Sequence, residues 1–291
     1  MQRLLSTDNL VRIALFAASS TSVVIVALIF AFLFREAFPF LRDPGVGELA
    51  GTRWMPTSMQ RQSFGVLPLI TGSLLVTFLA SLLAVPFGIC GAVYISEVAR
   101  PVEREFLKPF VEILAGIPSV VLGFFGLVAV VPLVKSVFHL GSGLSALSAA
   151  VVLGLMALPT IISISEDAIR GVPDAYREAS LALGANRITT IWRVVVPAAL
   201  PGITAAVMLG FGRVIGETMG VMMVSGNAAQ IAFSPFESVR TMTATIAAEM
   251  GEVVFGGVHY RALFCVGLLL LAATFALNMI AQRVMKRYQN R

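Results

Sequence analysis

The chain has 291 residues, of which 57% are hydrophobic and only 13% charged, and its mean hydropathy is +0.89. A soluble globular chain carries roughly 25% charged residues, so most of this one does not face water. Two cysteines are too few for a disulfide framework or a four-thiolate metal site, and His139 and His259 lie 120 positions apart, which argues against zinc chemistry. The formal charge of +5 is not a nucleic-acid signature, because the bases mostly flank long apolar runs, as they do in membrane proteins.

A helix rises about 1.5 Å per residue, so crossing a hydrocarbon core of about 30 Å takes roughly 20 apolar residues. Five uncharged runs satisfy this: Ile13–Phe34, Val66–Ser96, Ile113–Val134, Leu140–Ser165 and Ala262–Gln282. A sixth, Val194–Phe236, is interrupted only by Arg213 and Glu217. The first run is read as a span and not a cleaved signal peptide, because its apolar region is long and no small-residue cleavage pattern closes it before Arg35 and Glu36. Six spans place both termini on one side. The tail RVMKRYQNR holds Arg283, Lys286, Arg287 and Arg291 with no acid, which makes that side cytoplasmic. The 13 Lys and Arg on that side against 7 on the other agree.

Residues 35–65 are polar and rich in glycine and proline, and they predict an external loop with little regular structure. Between Phe233 and Tyr260 the string TMTATIAAEM predicts a short helix lying against the outer face or dipping into the bundle. Neither segment is long enough for a core of its own, so residues 1–291 are read as a single membrane domain whose first span is 13–34.

Pro86, Pro118, Pro132 and Pro159 fall in or near spans, where each removes an amide donor and tends to bend a helix. In the third span Gly116, Gly123 and Gly126 surround Pro118. Two readings are open: the general enrichment of Gly and Pro in membrane helices, or a bent helix lining a path. No filter string, ring of acids or HExxH motif supports a channel or an intramembrane metalloprotease.

The charged stretch after Glu166 predicts two short helices. Pro173 sits in a first turn, Asp174 and Glu178 complement the helix N-terminus, Ala175–Leu183 are good helix formers, and Gly184 ends the helix. A second helix from Arg187 carries Ile188, Ile191 and Trp192 on its apolar side before Pro197 and Pro201 mark the start of span five. The pair is either a knob for another protein to grip or an interfacial pair packed on lipid headgroups.

Within span five, Glu217 follows Arg213 by four residues, which on a continuous helix puts both on one face. An arginine at mid-membrane costs about 2.5–3.5 kcal/mol and needs a polar surrounding. Two roles fit it: a structural ion pair, or an anion contact in which Glu217 and an oxyanion compete for one guanidinium.

Glu178, Ala179 and Ser180, then Gly184, then Val194, Val196 and Pro197, resemble the Glu-Ala-Ala loop of the membrane subunits of binding-protein-dependent ABC importers. The spacing is kept; the departures are Ser180 at the third position and the two valines. That resemblance implies an all-α, six-span permease fold of the MetI type, with residues 170–193 as a coupling segment that docks on a cytoplasmic ATPase. The permease core is then residues 70–285. The chain has no GxxxxGK followed by Ser or Thr, so ATP and Mg belong to the partner and no cofactor to this chain.

The strings GRVIGET at Gly212–Thr218, LAGIPSVVLGFFGL from Leu114, LPTIISISEDAIRGVP from Leu158, YREASLALGA from Tyr176 and VHYRALF from Val258 are similar to phosphate-specific importer permeases of the PstC type. The resemblance implies a bacterial inner-membrane subunit paired with a PstA-type permease, two PstB-type ATPases and a periplasmic PstS-type binding protein. It also implies that Arg213, Glu217, Pro118 and Ser119 belong to the substrate pathway, Glu178, Ala179, Ser180 and Gly184 to ATPase coupling, and none to catalysis. The partners are then proteins and membrane lipid, not nucleic acid. Other substrates, such as sulfate, molybdate or a small organic solute, remain open within the family, and ion-coupled secondary transport is the alternative class.

Overall fold

The computed structural model describes residues 7–289 and the side chains of residues 11–280, 282 and 283. Lys286, Arg287 and Arg291, on which the orientation partly rests, lie outside those side chains. Among the described residues six segments are long and apolar enough to cross a membrane: Val11–Leu49, Leu67–Val98, Ser119–Val137, Ala146–Arg170, Arg187–Gly216 and Val258–Ile280.

In chain order the helices are α1 (Thr7–Phe40), α2 (Val46–Leu49), α3 (Leu67–Val93), α4 (Pro101–Gly116), α5 (Ser119–Phe125), α6 (Val131–Val137), α7 (Ala146–Arg170), α8 (Asp174–Ala182), α9 (Arg187–Thr190), α10 (Val196–Gly216), α11 (Met219–Val224), α12 (Met242–Glu249) and α13 (Val258–Gln289). An antiparallel hairpin, β1 (Trp54–Met55) and β2 (Ser63–Phe64), pairs Trp54 with Phe64.

The centre of the bundle is α7, with α3 and α10 packed on it. Over half of its most apolar stretch, 56%, is buried within the chain, against 0% for the first span. Small residues let the backbones approach. Ile161 of α7 fills the space beside Gly88 of α3 and Gly210 of α10: a methyl group placed on either glycine would come within 2.6 Å of the isoleucine side chain. Ala149, Ala150, Leu153 and Met156 continue this core along α7.

At one end of the bundle α1 packs on α13 and the hairpin folds back over both, burying Ala37, Phe40, Trp54, Phe64, Leu263 and Val266 together. Glu249, at the end of α12, ties this end by charge. Its carboxylate accepts hydrogen bonds from Trp54 Nε1 at 3.1 Å and Arg240 Nη1 at 2.7 Å, and lies 2.8 Å from His259 Nε2. Residues 35–65 are thus better ordered than their composition predicts, and α1 runs on through Arg35 and Glu36 to Phe40. The aromatic residues of the loop supply the apolar contacts that its glycines do not. The predicted short helix after Phe233 is α12, started by the Thr241 side chain accepting from the Ala244 amide.

Two span boundaries differ from the sequence expectation. The third span begins at Ser119, because Ile117 and Pro118 are extended, with ψ of 129° and 138°. A residue that precedes proline is disfavoured in the helical region, so α4 stops there and forms a separate amphipathic helix. The fifth span is helical from Arg187, without a break before Pro197, and ends at Gly216, so it does not extend to Phe236. A wide π turn at Ile191–Val195 precedes Pro197, and a second at Gly126–Val130 precedes Pro132. In both places the irregular turn absorbs the missing proline donor, and the helix continues.

The Ile161 contact yields a test. Gly210→Ala should destabilise the purified protein by about 1–3 kcal/mol through overpacking. Adding Ile161→Ala removes the Cγ1 and Cδ1 atoms that the new methyl meets, so the double variant should lose less than the two single losses added together. Thermal unfolding in detergent measures all three; strict additivity would show that the two residues do not press on each other.

Candidate functional site

Arg213 lies in the last turn of α10, half-buried, and donates from Nη1 to Thr160 Oγ1 of α7 at 3.3 Å. Thr160 directly follows Pro159 in α7. Among the described residues no carboxylate comes within 4.0 Å of the guanidinium. A guanidinium has five N–H donors, so most of this group's hydrogen-bonding capacity is unspent.

Glu217 stands elsewhere than the four-residue spacing suggests. The helix ends at Gly216, and Glu217 is extended, with ψ of 135°. Its Oε1 accepts from the amides of Thr218 at 3.1 Å and Gly220 at 3.3 Å, holding the first turn of α11. Its carbonyl accepts from Thr243 Oγ1 of α12 at 2.8 Å. The predicted competition of Glu217 and an anion for one guanidinium therefore has no contact behind it in this conformation, because the helix break turns the carboxylate onto amides.

Pro118 and Ser119 start α5. The helices α5 and α11 cross closely, and a methyl on Gly123 would lie 2.9 Å from the Gly220 Cα. The elements that carry Ser119 and Glu217 are thus neighbours, although no hydrogen bond links Pro118 or Ser119 to Arg213 among the described residues.

The four residues of the Glu-Ala-Ala pattern lie beyond the end of α7, past the helix turn that follows Arg170. Glu178 and Ala179 are exposed on α8, with Tyr176, Leu181 and Leu183 around them. The Ser180 hydroxyl lies 2.9 Å from the Thr190 hydroxyl of α9, which fixes the angle between the two short helices. Gly184 has φ of +84°, the left-handed conformation that closes a helix and that glycine adopts without strain.

Sequence reasoning passed over the residues that hold α8 in place. Arg177 donates to Glu97 Oε1 at 2.7 Å from Nη2, to the Val172 carbonyl at 2.6 Å, and to the Ile169 carbonyl at 3.0 Å. Arg187 donates to the Glu97 carbonyl. Glu166, 2% exposed near the end of α7, accepts from Lys108 Nζ at 2.8 Å, with Arg170 at 3.4 Å and Arg104 at 3.9 Å. The hydrogen bond to Glu166 raises the Lys108 pKa above the usual lysine value, against the opposing effect of desolvation, so the group stays charged at physiological pH. These pairs join positions 58 and 80 apart, and no short motif marks them. The clue in the sequence was the presence of acids, Glu97 and Glu166, at the ends of apolar runs.

Nothing in this arrangement resembles a nucleophile with its base, and among the described residues no group of three or more His, Cys, Asp or Glu side chains is placed to hold a metal. What the molecule presents is an under-used cation near a helix break, beside the middle of α7, and a braced, exposed helix pair beyond the end of α7.

Comparison with known proteins places the chain in a family. Residues 84–291 match the family described as "Binding-protein-dependent transport system inner membrane component". The "Probable ABC transporter permease protein YqgH" of Bacillus subtilis is 42% identical over 82% of this chain and 77% of its own length. The "Phosphate transport system permease protein PstC" of Mesorhizobium japonicum is 34% identical over 100% of this chain and 94% of its own. Among solved structures, an inward-facing MetNI methionine ABC transporter chain aligns with a TM-score of 0.57 at 21% identity, covering 77% of this chain and 94% of that one. A chain of a bacterial alginate ABC transporter aligns with a TM-score of 0.65 at 17% identity over 96% of each. The fold is therefore the all-α, six-helix MetI-type permease fold, and the chain belongs to the family of inner-membrane components of binding-protein-dependent transport systems, a transport subunit and not an enzyme.

Proposed function

We propose that this chain is a permease subunit of an ATP-driven phosphate importer. It forms half of the translocation pathway beside a homologous PstA-type permease. Two PstB-type ATPases on the cytoplasmic side supply ATP and Mg chemistry, and a periplasmic PstS-type protein delivers phosphate. Both termini are cytoplasmic, which puts the Glu249 end outside and α8 inside. The relatives named PstC support the substrate, and the observation that carries the reading is Arg213: a guanidinium in a membrane helix, bound by one threonine hydroxyl and, among the described residues, within 4.0 Å of no carboxylate. Such a cation is matched by a tetrahedral oxyanion, which accepts two donors from one guanidinium and brings the missing charge.

Phosphate entering an outward-open cavity would meet Arg213 and Thr160 together, and it leaves when the bundle changes packing. One guanidinium in a half-exposed setting binds selectively without trapping. Glu217 acts beside it by fixing the α10–α11 corner.

Uptake of labelled phosphate into vesicles holding the chain, its partner permease and the ATPase, with binding protein outside, tests the substrate. Arsenate should compete and sulfate should not; the reverse order of competition would remove phosphate from the proposal. Arg213→Gln should lower uptake by roughly tenfold or more, since a lost charge-assisted hydrogen bond takes about 1.5–3 kcal/mol, while the complex still assembles. Adding Glu217→Gln should not recover uptake, because the two side chains are not partners. Recovery in the double variant would restore the structural-pair reading.

The coupling role of α8 is tested at Gly184. No atom lies within 4 Å of where a Cβ would stand, so Gly184→Val meets no clash, yet a side chain at positive φ costs about 1–2 kcal/mol. The expected outcome is weaker ATPase association and lower uptake with the membrane bundle intact. Wild-type cross-linking from Ala182→Cys to the ATPase, with normal transport, would overturn the assignment. Orientation is checked separately: an impermeant thiol reagent should label Ser58→Cys in intact cells and should leave Gln289→Cys unlabelled.

A further inference from the structure

The helix α4 is attached in an unusual way. None of its 16 residues is fully buried, and Val102, Phe106, Phe110 and Ile113 are exposed, while Leu107, Val111 and Leu114 form a half-buried stripe on the face that carries Arg104 and Lys108. Apolar packing therefore holds the helix only in part, and charge completes the attachment. Lys108 bridges Glu166 at 2.8 Å and Asp167 at 3.1 Å, while Arg104 donates to the carbonyls of Ile95 at 3.1 Å and Ser96 at 2.8 Å. Glu166 sits one turn before the end of α7, and α7 turns through Gly171 and Pro173 directly into α8. The same corner is gripped by Arg177, whose partner Glu97 lies three residues before Arg100, the N-cap of α4. At its far end α4 stops at the extended pair Ile117–Pro118, beyond which Ser119 opens α5.

These connections describe a lever. One end and the middle of α4 are tied by ions to the α7–α8 corner, and the other end is joined to the pathway helix α5 by a two-residue hinge.

We propose that the Lys108–Glu166 contact, braced by Arg104 and Arg170, is a latch that makes α4 move as one body with the coupling helix α8, so that displacement of α8 by the ATPase reaches Ser119. Lys108 and Glu166 are on this view positioning residues that touch neither substrate nor nucleotide. The inference rests on the ABC-importer reading but not on phosphate as the cargo. Because the packed face of α4, Leu107, Val111 and Leu114, is only half-buried, the ionic tie adds the direction that this packing lacks, and its strength decides how much of the stroke arrives.

The assembled complex with its ATPase supplies the test. Spin labels at Phe110→Cys on α4 and Tyr176→Cys on α8 should keep one separation across nucleotide-free and ATP-bound states. A change beyond about 5 Å, one helical turn, would overturn the latch without any latch substitution. Lys108→Met should broaden that separation and lower solute uptake per ATP hydrolysed to below half of the wild-type ratio. Lys108→Arg should return the ratio to at least half, which a role in mere folding of the lysine stem would not separate from Lys108→Met. A ratio at or above half in Lys108→Met, or no recovery in Lys108→Arg, counts against the proposal. If the wild-type complex hydrolyses ATP but takes up no phosphate, the substrate assignment falls, and the label separation still decides the latch.

Discussion

In a bilayer an apolar side chain gains little by leaving acyl chains for another helix, so close approach of backbones has to replace the hydrophobic drive. The contact of Ile161 with Gly88 and Gly210 is where this protein meets that constraint. A single branched side chain on α7 occupies the place of two missing ones on α3 and α10, and three helices are held at one level. Everything with a functional reading is referenced to α7: Thr160 beside Ile161 holds Arg213, and Glu166 one turn later than Ile162 holds α4. A shift of α7 by a fraction of a turn would reach both the Arg213 contact and the α4 attachment.

The polar work is done at the ends, where water or headgroups are near. On one side Glu249 collects Trp54, Arg240 and His259, drawing the hairpin, α12 and α13 together. On the other, Glu97 and Glu166 collect Arg177, Lys108, Arg104 and Arg170. Breaking a well-buried pair leaves an uncompensated charge, which costs far more than the pair contributes. Such ties therefore specify one arrangement more than they add stability. They are directional in a way that lipid-facing leucines are not, and this is why helix angles at both ends follow carboxylates.

Much of the architecture could be read from residue patterns because a membrane span needs only length and absence of charge. The six apolar runs, the helix at TMTATIAAEM and the stop at Gly184 depend on neighbours in sequence. The failures depend on neighbours in space. Trp54 reaches Glu249 across 195 positions and Arg177 reaches Glu97 across 80, and a lone glutamate at the end of an apolar run does not name its partner. The boundaries at Ser119 and Gly216 were missed for a different reason: an uncharged run does not reveal where the backbone stops being helical, and a proline ends α4 at 118 yet is absorbed by a π turn before 132 and 197.

That second kind of miss bears on Arg213. Glu97, Glu166 and Glu249 each hold a cation, whereas Glu217 holds amides and Arg213 holds a hydroxyl. Had α10 continued one more turn, the four-residue spacing would have placed the two side chains together, and each would have neutralised the other. The break after Gly216 prevents this. It commits the carboxylate to the first turn of α11 and leaves the guanidinium with donors to spare, beside a hydroxyl that can share a ligand. An unquenched cation in a membrane helix is costly, and the helix break leaves that cost to be met by groups outside α10; under the proposed function, a bound anion is the group that meets it.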